Sequence, residues 1–383
     1  VDNFQPGNGR LLPNGLTPEQ CVNDDFATKS PWLDYPRLYY YLKESKIAVQ
    51  VKQTAEANTN DWYPVTIGWF DFTQDYFELI NPLVIKKGLK IVFLYHEADN
   101  PKDINARLEE LADLHNYDNI AFISGNSAAD QYHFTHYWPE LEYMYRRSVD
   151  FTKASLTQYN RRSKHFTALC RIDKLWRKVF MSNLWHKNLH LNGYFSYCQE
   201  FLGEQDDWDG VPLLNEFLTS QQPIWEDFIK AGPFYVDELT TTQRNDYSIL
   251  MDDMYNDSYF NIVLETFIDV DSSGGQFITE KTLKPVLHCQ PFICVAEASH
   301  LEHLRSLGYH TFERVFDESY DKVEDTQERF EMVMSLSQEL AEMDLDSMHN
   351  LYKSVGDITM WNRIVLENNI SHRLKDLITK IST

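Results

Sequence analysis

The stretch Tyr259-Phe260-Asn261-Ile262-Val263-Leu264-Glu265-Thr266-Phe267, the loop with Asp269, Asp271, Ser272, Ser273, Gly274 and Gly275, the step Phe277-Ile278-Thr279-Glu280-Lys281, and the run Pro291-Phe292-Ile293-Cys294-Val295-Ala296 together decide the fold class. An apolar run without polar alternation reads as a strand buried on both faces. A polar, glycine-bearing loop then leads to Thr279, a suitable N-cap for a helix opening at Glu280, and a second apolar run follows that helix. Two such strands separated by a helix predict parallel pairing, because parallel neighbours need a crossover connection.

The same alternation extends in both directions. Downstream, Ser299 to Leu307 predicts a helix stopped by Gly308, and Thr311 to Phe316 a further strand. Upstream, His165 to Cys170 (strand), Lys174 to Lys187 (helix) and Tyr194 to Cys198 (strand) complete a doubly wound domain. In the first half, strand-like runs lie at Lys46 to Val51, Val65 to Phe72, Leu89 to Tyr95 and Asn119 to Ile123. Between the last two, Ile104, Leu108 and Leu111 recur at helical spacing over Asp103 to Leu114. The aromatic and basic stretch Trp138 to Lys164 separates the halves, so residues 1–160 are expected to form one domain, with an irregular arm over the first twenty residues, and 161–383 a second. A helical tail closes the chain, with stripes at Phe330, Val333 and Leu340, at Ile358, Trp361, Ile364 and Val365, and at Leu374, Leu377 and Ile381.

Composition agrees with two packed domains. The chain has 383 residues, beyond the size at which one core usually keeps growing, and is 43% hydrophobic. A net charge of -23 argues against nucleic acid as a partner, since backbone-phosphate binding draws on clustered Lys and Arg. The only such cluster, Arg146, Arg147, Arg161, Arg162 and Lys164, is explained as easily by packing. The five cysteines form no CxxC pair and fit a reducing compartment. No run approaches the roughly 20 apolar residues of a membrane span, and the start of the chain lacks a signal-peptide layout, so a cytoplasmic protein is expected.

Chemistry concentrates at Thr279, Glu280 and Lys281. A helix N-terminus carries positive dipole, and the adjacent Lys adds a point charge, an arrangement suited to a diphosphate. Glu280 suits sugar or ribose hydroxyls instead. Ordinary helix capping accounts for the same spacing. Phe277-Ile278-Thr279-Glu280-Lys281-Thr282-Leu283-Lys284-Pro285, with Gln290-Pro291-Phe292-Ile293 and Leu304 to Phe312, resembles a viral and bacterial glycosyltransferase family related to the α-1,3-fucosyltransferases. Upstream, Leu169-Cys170-Arg171 to Arg177 resembles that family's Leu-Asn-Arg segment, with Cys170 in place of Asn and Asp173 in place of Pro. The resemblance covers about residues 165 to 320. It implies two Rossmann-like domains facing a cleft, the GT-B arrangement, with Arg171 and Lys281 holding the donor diphosphate. Arg177 and Thr279 belong to the same donor-binding set, and Glu265 and Glu280 engage sugar or ribose hydroxyls.

Sugar transfer requires the departing diphosphate to be stabilised, which fixed cations do without a metal or other cofactor. An inverting reaction also needs a base for the acceptor hydroxyl, glycan or other, and Asp71 and Glu97, near the ends of first-half strands, are the candidates, with His96 and Asn126 nearby. Asp269-Val270-Asp271 has the Asp-x-Asp form of metal-dependent transferases, a common pattern in loops. Two alternatives stand beside the transferase: a viral enzyme glycosylating DNA bases or another polymer, acting in a host cytoplasm, and a degenerate, non-catalytic sugar-binding or interaction protein. No GxSxG, HExxH, Walker A or GxGxxG motif supports other chemistries.

Overall fold

In the computed structural model, residues 57–59, 61–67, 72–95, 100–131, 134–135, 160–200, 215–236, 251–269 and 274–382 are described. The N-terminal arm, the strand expected at Lys46 to Val51, the candidates Asp71, His96 and Glu97, and most of the stretch expected to separate the domains lie outside them. The described residues form two compact units. Residues 274–277 and the chain from Asn368 onward group with the N-terminal unit, and 278–367 with the other.

The N-terminal unit holds strands β1 (Trp62–Ile67), β2 (Lys90–Tyr95), β3 (Ile120–Ser124) and β4 (Phe134–Thr135), parallel throughout and in spatial order β1-β2-β3-β4. Helices α1 (Pro82–Lys87) and α2 (Pro101–Leu114) supply crossovers. Each has an Asn N-cap, Asn81 or Asn100, followed by a Pro whose missing N–H costs nothing in the first turn. Ile104, Leu108 and Leu111 of α2 are buried as their spacing predicts, against a core that includes Ile91, Phe93 and Phe122.

The second unit holds β5 (Lys164–Ile172), β6 (Gly193–Glu200), β7 (Ser258–Leu264) and β8 (Phe292–Val295), again all parallel, in the order β6-β5-β7-β8. Every residue of β7 and β8 is buried, as the unbroken apolar runs require. Helices α3 (Leu175–His186), α4 (Asn215–Ser220), α5 (Gln222–Ala231), α6 (Asp252–Asn256), α7 (Glu280–Leu287) and α8 (His300–Ser306) surround the sheet, and α9 (Thr326–Glu342), α10 (Leu345–Ser354) and α11 (Gly356–Ser382) follow. The fold is thus α/β with two separate parallel sheets and a helical tail.

Two expectations need correction. Thr311 to Phe316 is a turn and not a strand: the amides of Val315 and Phe316 both donate to the Phe312 carbonyl, and Glu318 Oε1 accepts from the Phe312 amide at 2.6 Å. Its aromatics serve as core, Phe312 packing edge-on against Phe292 and Phe316 against Phe260. The last two tail stripes lie on one helix, α11, of 27 residues. Its buried positions include Ile358, Asn362, Val365 and Leu366, whereas Trp361 and Ile364 are each 46% exposed. Trp361 is held at the surface by stacking on His310 and donating to the Gly308 carbonyl. Among the described residues no helix is long and apolar enough to cross a membrane.

Candidate functional site

The order β6-β5-β7-β8 means that the chain winds outward from β5 first to one side and then to the other, which creates a topological switch point between β5 and β7. Open α/β sheets take ligands in the crevice outside the carboxyl ends of the strands at such a point. In this unit that crevice is bounded by Arg171 to Lys174 at and just beyond the end of β5, by Glu265 and Thr266 after β7, and by the start of α7. Most residues singled out in the second half of the sequence meet here.

Glu265 organises the site from below. It is fully buried, and both of its carboxylate oxygens are occupied. Oε2 accepts from the Thr279 hydroxyl at 2.6 Å and the Thr266 amide at 3.1 Å; Oε1 accepts from the Thr282 hydroxyl at 2.6 Å and the Thr279 amide at 3.3 Å. Thr279 and Thr282 stand three apart, on one face of the first turn of α7. Glu265 therefore clamps that turn to the end of β7, and the direct contact with sugar or ribose hydroxyls that the resemblance implies is not open to it in this arrangement.

Thr279 is the N-cap, as expected: its hydroxyl oxygen accepts from the Lys281 amide at 3.2 Å while its proton goes to Glu265. The Lys281 ammonium lies 3.3 Å from both the Thr266 and the Thr279 hydroxyls and 3.1 Å from Glu280 Oε1. The amides of Thr279 and Lys281 are thus engaged within the protein. What α7 offers outward is its dipole and the Lys281 ammonium, whose side chain is 30% exposed. The Glu280 side chain is 22% exposed. Burial pulls its carboxyl upward, but the charges of Lys281 and Lys284, with the hydrogen bond from Lys281, outweigh this and bring it down to about 2. It is an anion at any physiological pH and can only accept hydrogen bonds, as recognition of hydroxyls requires.

The β5 side is cationic. Arg171, partly exposed, stands where the pairing of β5 with β6 slips by one residue between Cys170 and Ile172, an irregularity of the kind that re-aims side chains at sites. Arg177 is buried, donates from Nη2 to the Glu265 carbonyl and lies with its guanidinium 5.0 Å from the centre of the Trp176 ring. Its position makes it a support behind Glu265 and adds positive potential without open access. Lys174, which sequence reasoning passed over, is also buried and donates to the Thr266 carbonyl at 2.8 Å. Its place immediately before α3 was the available signal. Thr282 was passed over as well, although its spacing from Thr279 was legible.

The departures from the family pattern have structural partners. Asp173 is buried, accepts from the Tyr197 hydroxyl and pairs with Lys178 at 3.2 Å. Burial pushes the Cys170 thiol up to about 12, so it is no nucleophile. Asn126 is fully buried in the N-terminal unit, with Oδ1 accepting from the Ala128 amide at 3.0 Å. Of the basic cluster, Arg162 is buried against Tyr352 and the carbonyls of Tyr255 and Ser258, and Arg161 pairs with Asp346. Asp269 is buried, and among the described residues no cluster of His, Cys, Asp and Glu is placed to hold a metal ion.

No protein-family model matches the chain, and no curated protein matches it. Among solved structures it is similar to trehalose-6-phosphate from E. coli bound with UDP-2-fluoro glucose, at 11% identity and a TM-score of 0.43, over 91% of this chain and 79% of that one. It is also similar to an α,α-trehalose-phosphate synthase (UDP-forming) from Burkholderia vietnamiensis, at 11% identity and a TM-score of 0.40, over 90% and 77%.

Proposed function

We propose that the chain is a glycosyltransferase that moves a sugar from a nucleoside-diphosphate sugar to an acceptor hydroxyl, with the donor diphosphate seated at the start of α7. One observation carries this reading: a partly exposed ammonium, Lys281, stands at a helix N-terminus at the switch point of a parallel sheet, with Arg177 and Lys174 buried behind it. The acid Glu280, held ionised beside that cation, suits the hydroxyls flanking a diphosphate. In this reading Arg171 and Lys281 take the diphosphate, Glu280 takes sugar or ribose hydroxyls, and Thr279, Glu265 and Arg177 hold the helix start in place. Positive charge fixed before the reaction stabilises the departing diphosphate without a metal or other cofactor.

The finer features belong to the same proposal: a GT-B arrangement with a cleft, kinship with fucosyltransferases, inversion with Asp71 or Glu97 as base, a glycan or other hydroxyl acceptor, and a cytoplasmic, viral setting. The test is a thermal-shift panel of GDP-, UDP-, ADP- and CMP-sugars, followed by assay of nucleoside-diphosphate release in EDTA. One donor is expected to raise Tm and to turn over without metal, and Lys281→Ala is expected to abolish both effects. A response unchanged in Lys281→Ala would remove this site from the reaction.

A further inference from the structure

Beneath the start of α7 lies a second set of buried ionisable groups. His300, the first residue of α8, is buried, as are Glu297 after β8, Cys294 within β8 and Glu265 after β7. His300 Nε2 lies 3.5 Å from the Thr282 hydroxyl oxygen, and Nδ1 lies 3.6 Å from Glu297 Oε2. At that separation the two form an ion-pair contact and not a hydrogen bond, and neither Glu297 oxygen nor His300 Nδ1 has a hydrogen-bond partner among the described residues.

The proton inventory of this chain is constrained. The Thr282 hydroxyl, 2.6 Å from Glu265 Oε1, has its one proton committed to that carboxylate, so it meets His300 only as an acceptor. Burial pushes the Glu297 carboxyl up while the His300 ring pulls it down, and in its ionised form it too is only an acceptor. With Glu297 ionised, both ring nitrogens of His300 face acceptors, and an imidazole donates from both nitrogens only when it is an imidazolium.

We propose that His300 is a positioning residue of the diphosphate site: as a buried imidazolium between Glu297 and Thr282, it holds the Thr282–Glu265 hydrogen bond and so fixes the first turn of α7. The inference rests on the reading of α7 as the diphosphate site. Burial acts against the charged ring, but Cys294, Glu297 and Glu265 together raise His300 well above the usual histidine range. The other charged groups around it are consistent. Arg329 of α9 faces Glu297 across buried backbone, donating to the Ala296 and Ile268 carbonyls, and Asp321 accepts from the Leu301 and Glu302 amides at the start of α8. The ring is therefore expected to stay protonated through neutral pH and to lose its proton only as pH rises through its elevated value.

The test uses the full chain. With histidine labelled in 13C and 15N, the His300 ring, assigned by its disappearance in His300→Gln, is expected to show both nitrogens protonated at pH 7.5. Calorimetry with inorganic pyrophosphate, GDP and UDP is expected to show about tenfold weaker binding in His300→Gln and Thr282→Val, with Thr282→Ser close to wild type. A neutral His300 ring at pH 7.5, or unchanged pyrophosphate affinity in a folded His300→Gln, would overturn the proposal. If none of the three probes binds wild type, the transferase reading fails, and the ring spectrum still decides the ionisation of His300.

Discussion

At the scale of single residues, the account gives Glu265 and Lys281 opposite profiles. Glu265 satisfies four donors in a site without solvent, so Glu265→Ala strands them and should cost about 3–5 kcal/mol by urea denaturation, well beyond an ordinary surface change. Lys281 is partly exposed but is the main charge holding Glu280 ionised, so Lys281→Ala should cost about 1–2 kcal/mol of stability, less than Glu265→Ala, while weakening diphosphate binding about 10- to 100-fold by calorimetry. Glu280 predicts a pH effect. Its carboxyl is lowered from 4.5 to about 2 in the fold, so the stability it adds is complete above pH 4.5 and is lost as pH falls toward 2. Wild type should therefore lose up to about 3 kcal/mol more than Glu280→Gln between pH 5 and pH 2 in paired denaturation curves. Thr279 was legible as a cap because capping is local in sequence. The clamp by Glu265 was not, because it depends on a strand end and a helix start 14 residues apart folding onto one carboxylate.

At the scale of elements, β7, α7 and β8 were readable because an apolar run buried on both faces leaves no other assignment once its length is short and a capped helix follows. Thr311 to Phe316 shows the limit of that signal. Phe312 and Phe316 are spaced as a strand would space them, yet they are core residues of a turn, and only their packing partners distinguish the two. The tail erred in phase: Trp361 and Ile364 are apolar but half-exposed, whereas Asn362 and Arg363 are buried because each has a partner, Asn362 bridging the His310 amide and carbonyl and Arg363 facing Glu367. The loop that precedes α7 makes its own prediction. Residues 276 and 277 pair with Asn126 and Ser127, and a Cβ on Gly275 would lie 2.5 Å from Asn126 Oδ1 and 2.7 Å from the Ala128 amide nitrogen. Gly275→Ala should displace this pairing at a cost of about 1–3 kcal/mol, seen as faster hydrogen exchange at Gln276 and Ser127.

At the scale of the whole molecule, the acidity of the chain and the cationic crevice are reconciled by location. The net charge of -23 belongs to the chain as a whole, whereas Arg177 and Lys174 are buried behind the partly exposed Lys281 ammonium at the switch point. Two parallel sheets were legible from alternation alone, since parallel strands require crossovers that leave a helical pattern between apolar runs. The measurement that bears most directly on the account is a crystal structure with the nucleoside diphosphate picked out by the thermal-shift panel. The account predicts the diphosphate at the start of α7, with an oxygen within hydrogen-bonding distance of the Lys281 ammonium and Glu280 on a ribose or sugar hydroxyl. A diphosphate bound anywhere else, with the Glu280–Lys281 pair undisturbed, would contradict it.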